Sequence, residues 1–454
     1  MVDFAARERL ARSPAHETVL SCLEAGIDAA LPERAVGREL SLDGDVLAVG
    51  GTTYDLAAFD RVLVLGAGKA TGRLARALEA LLGDRITGGC VVLDAPADPS
   101  LDHIETAVGE HPAPGAGSVA GARRVLELAR EADERTLVLA AFTGGGSALL
   151  AAPADGLALA DLRDVTERLL DAGAAIDEVN GVRKHCSAVK GGRLAAACAP
   201  ATVVSLLVSD VVGDDPAVIA SGPTVPDPTT YADALDTLDR YGIEASAVRA
   251  HLRGGRDGER GETPTAGDSA FGRGSVHVLA SGRTALDAAG EVARERGYTP
   301  CLLAAGVEGE AREAGRFHAA VAREVLDSGG PVDPPAVLLS GGECTVTVRG
   351  DGVGGPNGEF ALGAALHLPD GVVVGAVDTD GRDGSTDAAG ALVDSGTVSD
   401  GRGAREALAA NDSHGYLDGV GALLRSGRTG TNVNDLRVVV VRESPDEDNR
   451  GGDV

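Results

Sequence analysis

The sequence contains no tryptophan, one methionine and only three lysines among its 454 residues. Aromatic residues make up 2% of the chain, so the core must be built mainly from alanine, valine, leucine and isoleucine. No apolar run reaches the roughly 18 residues of a transmembrane helix, and the N-terminal segment lacks the apolar stretch of a signal peptide. The six cysteines form no C-x-x-C pair, which is typical of reduced, buried thiols. These absences predict a cytoplasmic protein that does not enter a membrane.

Acidic residues outnumber basic residues by 69 to 41, which gives a formal net charge of −28. A field of this sign repels nucleic acids and anionic membranes, and it therefore argues against both as partners. The acidic residues are dispersed along the chain and do not form an acidic tail. Together with the scarcity of lysine, this pattern predicts a halophilic protein, because a Debye length of roughly 3 Å at 1 M salt screens self-repulsion.

All three lysines lie in two short segments flanked by glycine. Lys69 belongs to the first segment, and Lys184 and Lys190 belong to the second. Lysine is a compact point charge and arginine a planar fork, so the two do not replace each other in a tight polar site. The clustering predicts a site that binds phosphate or another small anion. The alternative is chance survival of three lysines in an arginine-rich chain.

Apolar runs rich in β-branched residues recur along the chain, and each is followed by a turn rich in glycine or aspartate. They cover residues 61–65, 136–142, 202–208, 336–339 and 372–377. Their alternation with helix-compatible stretches predicts an α/β fold with a mostly parallel, doubly covered sheet. In such sheets ligands bind at the carboxyl ends of the strands, where these turns fall. Segment 251–275 is charged and rich in glycine, which is typical of a linker or long loop, and the tail 443–454 is expected to be disordered.

Two glycine turns are candidates for binding anions. The first, Gly66-Ala-Gly-Lys-Ala-Thr-Gly72, follows a strand and opens a helix, where backbone N–H groups favour anions. It is neither a Walker A motif nor a dinucleotide fingerprint, since Thr71 stands at the third glycine. The second, Gly144-Gly-Gly-Ser147, also follows a strand, and we prefer a phosphate contact for it. The alternative for the first segment is a plain tight turn between strand and helix. The alternative for the second is a structural bulge.

Segment 180–193 concentrates basic side chains in a very acidic protein. It contains Arg183, Lys184, His185, Lys190 and Arg193, with Gly191 and Gly192 between the last two. These residues predict a wall that binds anions. A basic helix face paired with surrounding acids is the alternative.

Two acidic loops are candidates for a metal site. Asp210 is the acid nearest the end of the apolar run 202–208, which makes it the best candidate for Mg²⁺ binding or for a general base. Asp214 and Asp215, in the same loop, could instead cap the next helix. Loop 378–390 carries acids at alternate positions but has Ala389 where a calcium loop needs glutamate, so an EF-hand is disfavoured. A loop that lines a phosphate–metal site fits better, and it makes Asp380 a second metal candidate.

Together these motifs resemble the glycerate 2-kinase family, of the haloarchaeal type, in which a C-terminal MOFRL domain follows a larger N-terminal domain. The similarity runs in family order over roughly residues 15–442. The segments that carry it are 66–70, 111–114, 143–149, 182–185, 190–193, 209–228, 340–343, 378–390 and 429–435.

The resemblance implies ATP-dependent phosphorylation of D-glycerate with Mg²⁺, giving 2-phosphoglycerate. It implies a Rossmann-like, doubly wound N-terminal domain over residues 1–250, a second, smaller mixed α/β C-terminal domain over 276–442, and an active site in the cleft between them. It also implies active-site roles for Lys69 and Glu343. A family arginine is absent, because Pro356 stands at its position. Another cation (Arg183, Lys184, Arg349 or Arg382) replaces that arginine, or the arginine is dispensable.

The motifs and the resemblance give the following site. The expected catalytic residues are Lys69, Asp210 and Glu343, and the expected metal ligands are Asp210 and Asp380. The expected nucleotide-binding residues are Gly144, Gly145, Gly146, Ser147, Lys190, Gly191 and Gly192. The expected substrate-binding residues are Gly66, Gly68, Arg183, Lys184 and His185. A homodimer is left open.

Two other functions stay open. A hydroxypyruvate reductase would need a nicotinamide site, and the sequence has no G-x-G-x-x-G followed by an acid about 20 residues later. A non-catalytic regulator that binds a sugar acid would explain the predicted anion site but not the acidic, metal-like loops. NADH oxidation would favour the reductase. Ligand binding without turnover would favour the regulator.

Overall fold

The computed structural model describes residues 2–442, and the predicted disordered tail 443–454 lies outside the described residues. The α-helices are α1 (Arg7–Leu10), α2 (Pro14–Ala29), α3 (Pro32–Glu39), α4 (Thr71–Leu82), α5 (Ala116–Arg130), α6 (Gly146–Leu149), α7 (Leu159–Asp171), α8 (Ile176–His185), α9 (Arg193–Cys198), α10 (Tyr231–Arg240), α11 (Ser246–Arg256), α12 (Gly282–Glu295), α13 (Ala311–Ser328), α14 (Pro356–Ala365), α15 (Gly401–Ala409) and α16 (Ser413–Gly419). Across the described residues, no helix has the length and apolar character that crossing a membrane requires.

The strands form two six-stranded sheets and two smaller ones. They are β1 (Leu40–Asp43), β2 (Val46–Val49), β3 (Thr52–Asp55), β4 (Arg61–Ala67), β5 (Gly88–Leu93), β6 (Glu105–Val108), β7 (Thr136–Phe142), β8 (Thr202–Val208), β9 (Ser275–Ala280), β10 (Thr299–Ala304), β11 (Gly309–Glu310), β12 (Ala336–Gly342), β13 (Cys344–Thr345), β14 (Val372–Asp378), β15 (Gly390–Asp394), β16 (Leu423–Leu424) and β17 (Asp435–Val441).

The chain divides into two compact units. The Rossmann unit is Pro32–Leu279, and the terminal unit comprises the residues up to Leu31 together with those from Ala280 onward. This division differs from the expected boundaries, because the first 31 residues belong with the C-terminal part. The cause is packing of α2: a Cβ at Gly375 of β14 would lie 2.8 Å from the Leu23 side chain, so α2 rests directly on the terminal sheet. Part of the predicted linker is also helical, since α11 extends to Arg256.

The Rossmann unit is built on one large sheet in the order β6-β5-β4-β7-β8-β9. The pairs from β6 to β8 are all parallel. Counted within the unit, this order is 3-2-1-4-5-6, the order of doubly wound nucleotide-binding folds. β7 and β8 are buried along their whole lengths, as expected for strands covered on both faces. The predicted Rossmann-like fold class is therefore confirmed.

The terminal unit contains a mixed sheet in the order β10-β12-β17-β14-β15-β16. β10 pairs with β12 in parallel, and the other neighbours are antiparallel. Its core is made almost entirely of alanine, valine and leucine from α13, α14 and the central strands, with Phe360 as a large buried ring. The second domain is thus mixed α/β, as predicted.

Candidate active site

The two central strands of the Rossmann unit end side by side. β4 and β7 are where the strand order reverses, and doubly wound folds bind ligands outside the carboxyl ends of the strands at this point. Lys69 lies two residues after β4, and Gly144 lies two residues after β7. The Lys69 N–H donates a hydrogen bond to the Gly144 carbonyl oxygen at 2.9 Å. The fold thereby brings the first lysine motif and the triple glycine together.

Thr143, which the sequence did not single out, anchors the turn that carries Lys69. Its Oγ1 accepts the Ala70 N–H at 3.1 Å and lies 3.2 Å from Thr71 Oγ1. The Gly68 N–H donates to the Val92 carbonyl at 3.1 Å. The backbone donors of residues 68–70 are therefore used within the protein, so this turn offers a phosphate the Lys69 ammonium and not these N–H groups.

Gly66 and Gly68 were predicted to bind substrate, but close packing accounts for both. A Cβ at Gly66 would overlap the Ala141 carbonyl on the neighbouring strand. Gly68 has φ +145°, and a Cβ there would overlap Thr143. These glycines hold β4 and the following turn against β7, and their contact with substrate stays a prediction.

The loop after β7 carries backbone donors that the fold leaves unused. Within residues 2–442, no atom accepts a hydrogen bond from the N–H groups of Gly144, Gly145 or Ser147, whereas Gly146 donates to the Thr143 carbonyl at 3.1 Å. Successive unpaired N–H groups form a concave anion site, and buried backbone donors are nearly always paired. The geometry thus gives the triple glycine, and not the Lys69 turn, the backbone groups suited to phosphate.

Each of the three glycines also lies against a side chain or carbonyl of the site. A Cβ at Gly144 would overlap the Asp210 carboxylate. At Gly145, where φ is +81°, a Cβ would lie 3.1 Å from both Lys69 Cγ and His111 Cδ2. The loop thus passes between Asp210 on one side and Lys69 with His111 on the other.

The charge of Lys69 acts on both Asp210 and His111. Burial raises the pKa of Asp210 above its ordinary value, while its own N–H and the Lys69 charge oppose the shift. The pKa of His111 is lowered by partial burial and by Lys69, against the opposing charge of Asp94. His111 is therefore neutral near pH 7, which leaves Lys69 as the cation of this group. His111 and Asp94 were absent from the predicted site.

A second chain of contacts leads from the triple-glycine loop to Arg183. Ser147 Oγ lies 2.7 Å from Ser221 Oγ, which donates to Asn180 Oδ1 at 3.1 Å. Arg183 Nη1 donates to the same oxygen at 3.4 Å. Ser221 has φ +61°, a backbone conformation that costs energy in a non-glycine residue. No carboxylate among the described residues pairs with Arg183, so its guanidinium remains available to an anion.

The other basic side chains of segment 180–193 point into the protein. Lys184 Nζ lies 3.3 Å from Asp227 Oδ1, with both side chains buried. Lys190 Nζ donates to the Ser147 and Leu150 carbonyls at 2.7 and 3.1 Å. Burial, together with Arg183, lowers the pKa of Lys190 well below its ordinary value. The interior placement argues against the predicted direct contact of Lys184 and Lys190 with substrate or nucleotide.

His185, Gly191 and Gly192 likewise have structural contacts. The His185 ring is fully buried, and its Nδ1 lies 2.8 Å from the Gly181 carbonyl oxygen. The Gly191 and Gly192 N–H groups donate to the Ser221 and Gly222 carbonyls at 3.1 and 2.7 Å. The predicted anion wall is thus divided, with Arg183 facing the glycine loop through Asn180 and most of the remaining segment supporting the fold.

In the terminal unit, the expected acids gather at one edge of the mixed sheet. Asp378 ends β14 and is the register partner of Asp435, the first residue of β17. Gly342, the last residue of β12, pairs with Asp435 from the other side. Glu343 follows directly, and the Asp380 N–H donates to Asp378 Oδ1 at 2.9 Å. Glu343 and Asp380 therefore lie at the same sheet edge.

Beneath this edge lies a buried polar network that the sequence analysis missed. Asp383 accepts the Asn357 and Gly358 N–H groups, both at 2.8 Å, at the start of α14. Burial raises the pKa of Asp383 to about 7 against these donors. Asn357 Nδ2 donates to Asp435 at 2.7 Å, and Asp435 also pairs with the fully buried Arg437. The signal was weak because neutral amides and single acids have no diagnostic spacing.

The position of the missing family arginine is the first residue of α14. Proline suits this position because its absent N–H would have no helical partner there, and Pro356 begins the helix. Of the cations proposed to replace the arginine, Lys184 is paired with Asp227, and Arg382 Nε donates to the Thr386 carbonyl at 3.1 Å.

The expected metal ligands, Asp210 and Asp380, lie in different units of the chain. Within residues 2–442, no three or more histidine, cysteine, aspartate or glutamate side chains are arranged to hold a metal ion. Asp210 belongs to the Rossmann unit and Asp380 to the terminal unit. Mg²⁺ commonly takes only one or two carboxylates, with water and substrate phosphates completing its shell. Asp210 alone, beside the free N–H groups of the glycine loop, fits that donor set.

Comparison with known protein families gives two matches along the chain. Residues 18–253 match a family described as "Domain of unknown function (DUF4147)", and residues 336–435 match the MOFRL family. The first match covers half of the chain and most of the Rossmann unit, and the second contains the acidic edge of the terminal sheet.

Similar proteins and structures extend over nearly the whole chain. The D-glycerate 2-kinase of Thermotoga maritima is 39% identical over 431 residues, covering 93% of this chain and 97% of its own. A putative hydroxypyruvate reductase of Agrobacterium vitis is 43% identical, covering 84% of this chain and 87% of its own. The crystal structure of glycerate kinase from Thermotoga maritima superposes with a TM-score of 0.83 at 38% identity, covering 94% of this chain and 99% of that one.

Proposed function

This chain belongs to the glycerate 2-kinase family, and we propose that it transfers a phosphoryl group from ATP to the 2-hydroxyl of D-glycerate, giving 2-phosphoglycerate. The observation that carries the proposal is that Lys69 is hydrogen-bonded to the glycine loop, whose residues 144, 145 and 147 have unpaired N–H groups. Both segments lie where the strand order reverses. Phosphoryl transfer depends mainly on positioning and charge neutralisation, and these groups supply both. Because the reaction consumes ATP, we infer a cytoplasmic location.

The nucleotide phosphates are assigned to the triple-glycine loop. The N–H groups of Gly144, Gly145 and Ser147 are donors without an acceptor among the described residues, and preorganised donors stabilise charge without reorganisation during the reaction. Ser147 Oγ is held by Ser221, which fixes the end of the loop. Lys69 provides the full positive charge for the transferring phosphoryl group or the glycerate carboxylate.

Arg183 is assigned to the substrate carboxylate. Its guanidinium is positioned by Asn180, which is linked to the glycine loop through Ser221. A planar fork matches a carboxylate in two parallel hydrogen bonds. The described residues provide no carboxylate partner, so substrate does not have to displace an existing ion pair.

Asp210 is assigned to Mg²⁺ or to the proton of the glycerate hydroxyl. Its raised pKa makes it a stronger base than an exposed aspartate, and a general base works best when its pKa approaches the operating pH. Mg²⁺, when bound with the nucleotide, neutralises phosphate charge. In the terminal unit, Glu343 is the proposed catalytic carboxylate and Asp380 the proposed second metal ligand, supported by their shared place at the sheet edge.

A specific observation favours hydroxypyruvate reduction as the second candidate. The strand order is that of dinucleotide-binding folds, and Asp94 directly follows β5, where such folds place an acid that binds ribose. However, Thr71 replaces the third glycine of the fingerprint, and the N–H groups of residues 68–70 are already used. The kinase is therefore the better supported function.

The test is an ATP assay on D-glycerate with Mg²⁺ in about 2 M KCl, where surface charge is screened. Enolase is present as the coupling enzyme and phosphoglycerate mutase is left out. Formation of phosphoenolpyruvate shows that the product is 2-phosphoglycerate. Signal only after mutase is added would mean transfer to the 3-hydroxyl. NADH oxidation with hydroxypyruvate, without ADP formation from glycerate, would overturn the proposal in favour of the reductase.

A further inference from the structure

The Rossmann unit contains a cavity of about 520 Å³ away from the proposed active site. Three arginines line it: Arg130 at the end of α5, Arg193 at the start of α9, and Arg260 after α11. We call this cavity the arginine pocket. It does not include Lys69, Asp210, His111 or the glycine loop among its walls. Its volume lies in the range of small-molecule sites, about 300–1,000 Å³.

The arginines of this pocket lack carboxylate partners in the described part of the chain. Arg193 Nη2 donates to the Tyr231 hydroxyl at 3.1 Å, while its Nε is buried and has no hydrogen-bond acceptor there. Arg130 and Arg260 form no ion pair with any described acid. A buried donor without an acceptor costs free energy. This unsatisfied donor belongs to a side chain that lines the pocket.

The two acids that line the pocket do not neutralise it. Glu262 accepts the Tyr231 N–H at 3.1 Å and lies 3.2 Å from His185 Nε2, so its carboxylate is already engaged by other groups. Asp155 is exposed at the rim. Three guanidinium groups against two carboxylates leave a positive cavity in a protein with a net charge of −28.

His251 lines the arginine pocket together with Arg193 and Arg260. This buried ring lines the pocket, and its Nε2 lies 3.0 Å from the His185 carbonyl oxygen, which can only accept a hydrogen bond. Burial is the largest cause of its lowered pKa, and the charges of Arg260 and Arg193 contribute in the same direction, against the His185 and Asp155 carbonyls. His251, Arg193 and Arg260 thus line the same cavity.

We propose that the arginine pocket binds a small dianion, carrying a phosphate monoester or two carboxylates, between Arg193 and Arg260. Guanidinium forks bind both groups in paired hydrogen bonds. Two guanidinium groups that line one cavity favour a ligand with two negative charges over one with a single charge. The site is separate from the proposed kinase chemistry and does not depend on it.

The pocket is connected to the proposed active site by a short path. Ser187 lines the pocket, and its Oγ accepts the Lys190 N–H at 3.2 Å. Lys190 Nζ in turn donates to the Ser147 carbonyl at 2.7 Å, at the end of the glycine loop. The wall of the arginine pocket is thus linked through Lys190 to the end of the glycine loop.

The test is isothermal titration of the full chain with inorganic phosphate and, separately, with malonate at matched KCl concentration. A Lys69→Ala background removes the cation of the proposed active site. In that background we expect one site to remain, and Arg260→Gln and Arg193→Gln to weaken it by about 10- to 100-fold, as expected for loss of a charge-assisted hydrogen bond. Arg253→Gln is the matched control, because Arg253 is exposed on α11 and does not line the pocket.

The stronger probe identifies the ligand class, phosphate for a phosphate monoester and malonate for a dicarboxylate. Loss of all binding in Lys69→Ala would overturn the proposal, since the anion would then bind only beside Lys69. It would also be overturned if Arg260→Gln bound both probes as tightly as Arg253→Gln. Arg260 is exposed, so Arg260→Gln keeps the test decisive even if Arg193→Gln fails to fold.

Discussion

The backbone N–H of Lys69 is hydrogen-bonded to the carbonyl oxygen of Gly144 at 2.9 Å. This bond joins the turn after β4 to the loop after β7, where the strand order reverses. The ammonium of Lys69 is exposed there, while the turn that carries it is anchored. A charge on a fixed backbone is preorganised for an anionic transition state.

Replacing Lys69 by alanine is expected to lower kcat by on the order of 10²-fold or more, the range seen when one preorganised electrostatic contact is removed. The fold should survive, because the Lys69 backbone contact is kept. Lys69→Arg should restore activity only in part, since a planar fork does not replace a compact ammonium. Steady-state kinetics with far-UV circular dichroism as the folding control checks this. A kcat unchanged from the wild type would remove Lys69 from the proposed mechanism.

Gly144→Ala is expected to reduce activity strongly while most of the fold remains. The added Cβ would overlap the Asp210 carboxylate, and the loop would have to move its free N–H groups. Gly37→Ala is the matched control in the same unit, because its Cβ would meet nothing within 4 Å. Because Gly37 lies in α3, that change should raise the free energy of unfolding by up to about 1 kcal/mol. Equal activity of the two variants would contradict the role of the loop.

The fold class and the sheet edge at which the glycine turns lie could be predicted because both follow from local sequence patterns, whereas the Lys69–Gly144 hydrogen bond is a long-range contact that only the structure shows. A buried parallel strand is a continuous apolar run, and the turn after it is marked by glycine. The runs at β4, β7 and β8 therefore predicted the sheet and the edge at which the site lies.

The basic segment could not be resolved in the same way. Arg183, Lys184 and His185 are consecutive on α8, and successive helical residues point in different directions. Only tertiary packing shows that Asp227 receives Lys184 and that Asn180 positions Arg183. The place of α2 in the terminal unit is also invisible in the sequence, since an amphipathic helix does not specify the sheet that it covers. Thr143 and Ser221 were missed because neutral hydroxyl groups have no characteristic pattern.

Asp210→Asn is expected to abolish the acid limb of the pH profile along with most of the activity. The proposed role requires the deprotonated carboxylate, and burial raises the pKa of Asp210. In the wild type, kcat/KM should therefore fall as pH decreases through this raised pKa, beginning at a higher pH than for an exposed aspartate. Rates across pH 4 to 9, at about constant ionic strength, give the comparison. If the residual activity of the variant kept the same acid limb, the limb would belong to another group.

Thermal stability is expected to rise as KCl increases from about 0.1 to 2 M. The net charge of −28 produces self-repulsion in the compact state, and the Debye length decreases from about 10 Å to below 3 Å over this range. Because the chain has no tryptophan, far-UV circular dichroism is the suitable probe. NaCl at equal concentration is the control and should act similarly if screening dominates. A Tm that is independent of either salt would contradict the halophilic interpretation.

Asp383→Asn is expected to remove part of the pH dependence of folding stability. The folded-state pKa of Asp383 is raised by burial to about 7, from an ordinary value of 3.8. A raised pKa means that the folded state binds the proton more tightly, so this contribution is complete below the ordinary value and is lost as pH rises through about 7. Its size is on the order of a few kcal/mol.

Urea unfolding of the wild type at several pH values between 4 and 7 should show this loss of stability, added to the effects of other titrating groups. Asp383→Asn should lack it. Asp351→Asn, an exposed aspartate in the same unit, should retain the wild-type slope. An unchanged slope in Asp383→Asn would mean that Asp383 is already ionised in the folded protein, with the Asn357 and Gly358 N–H groups outweighing its burial.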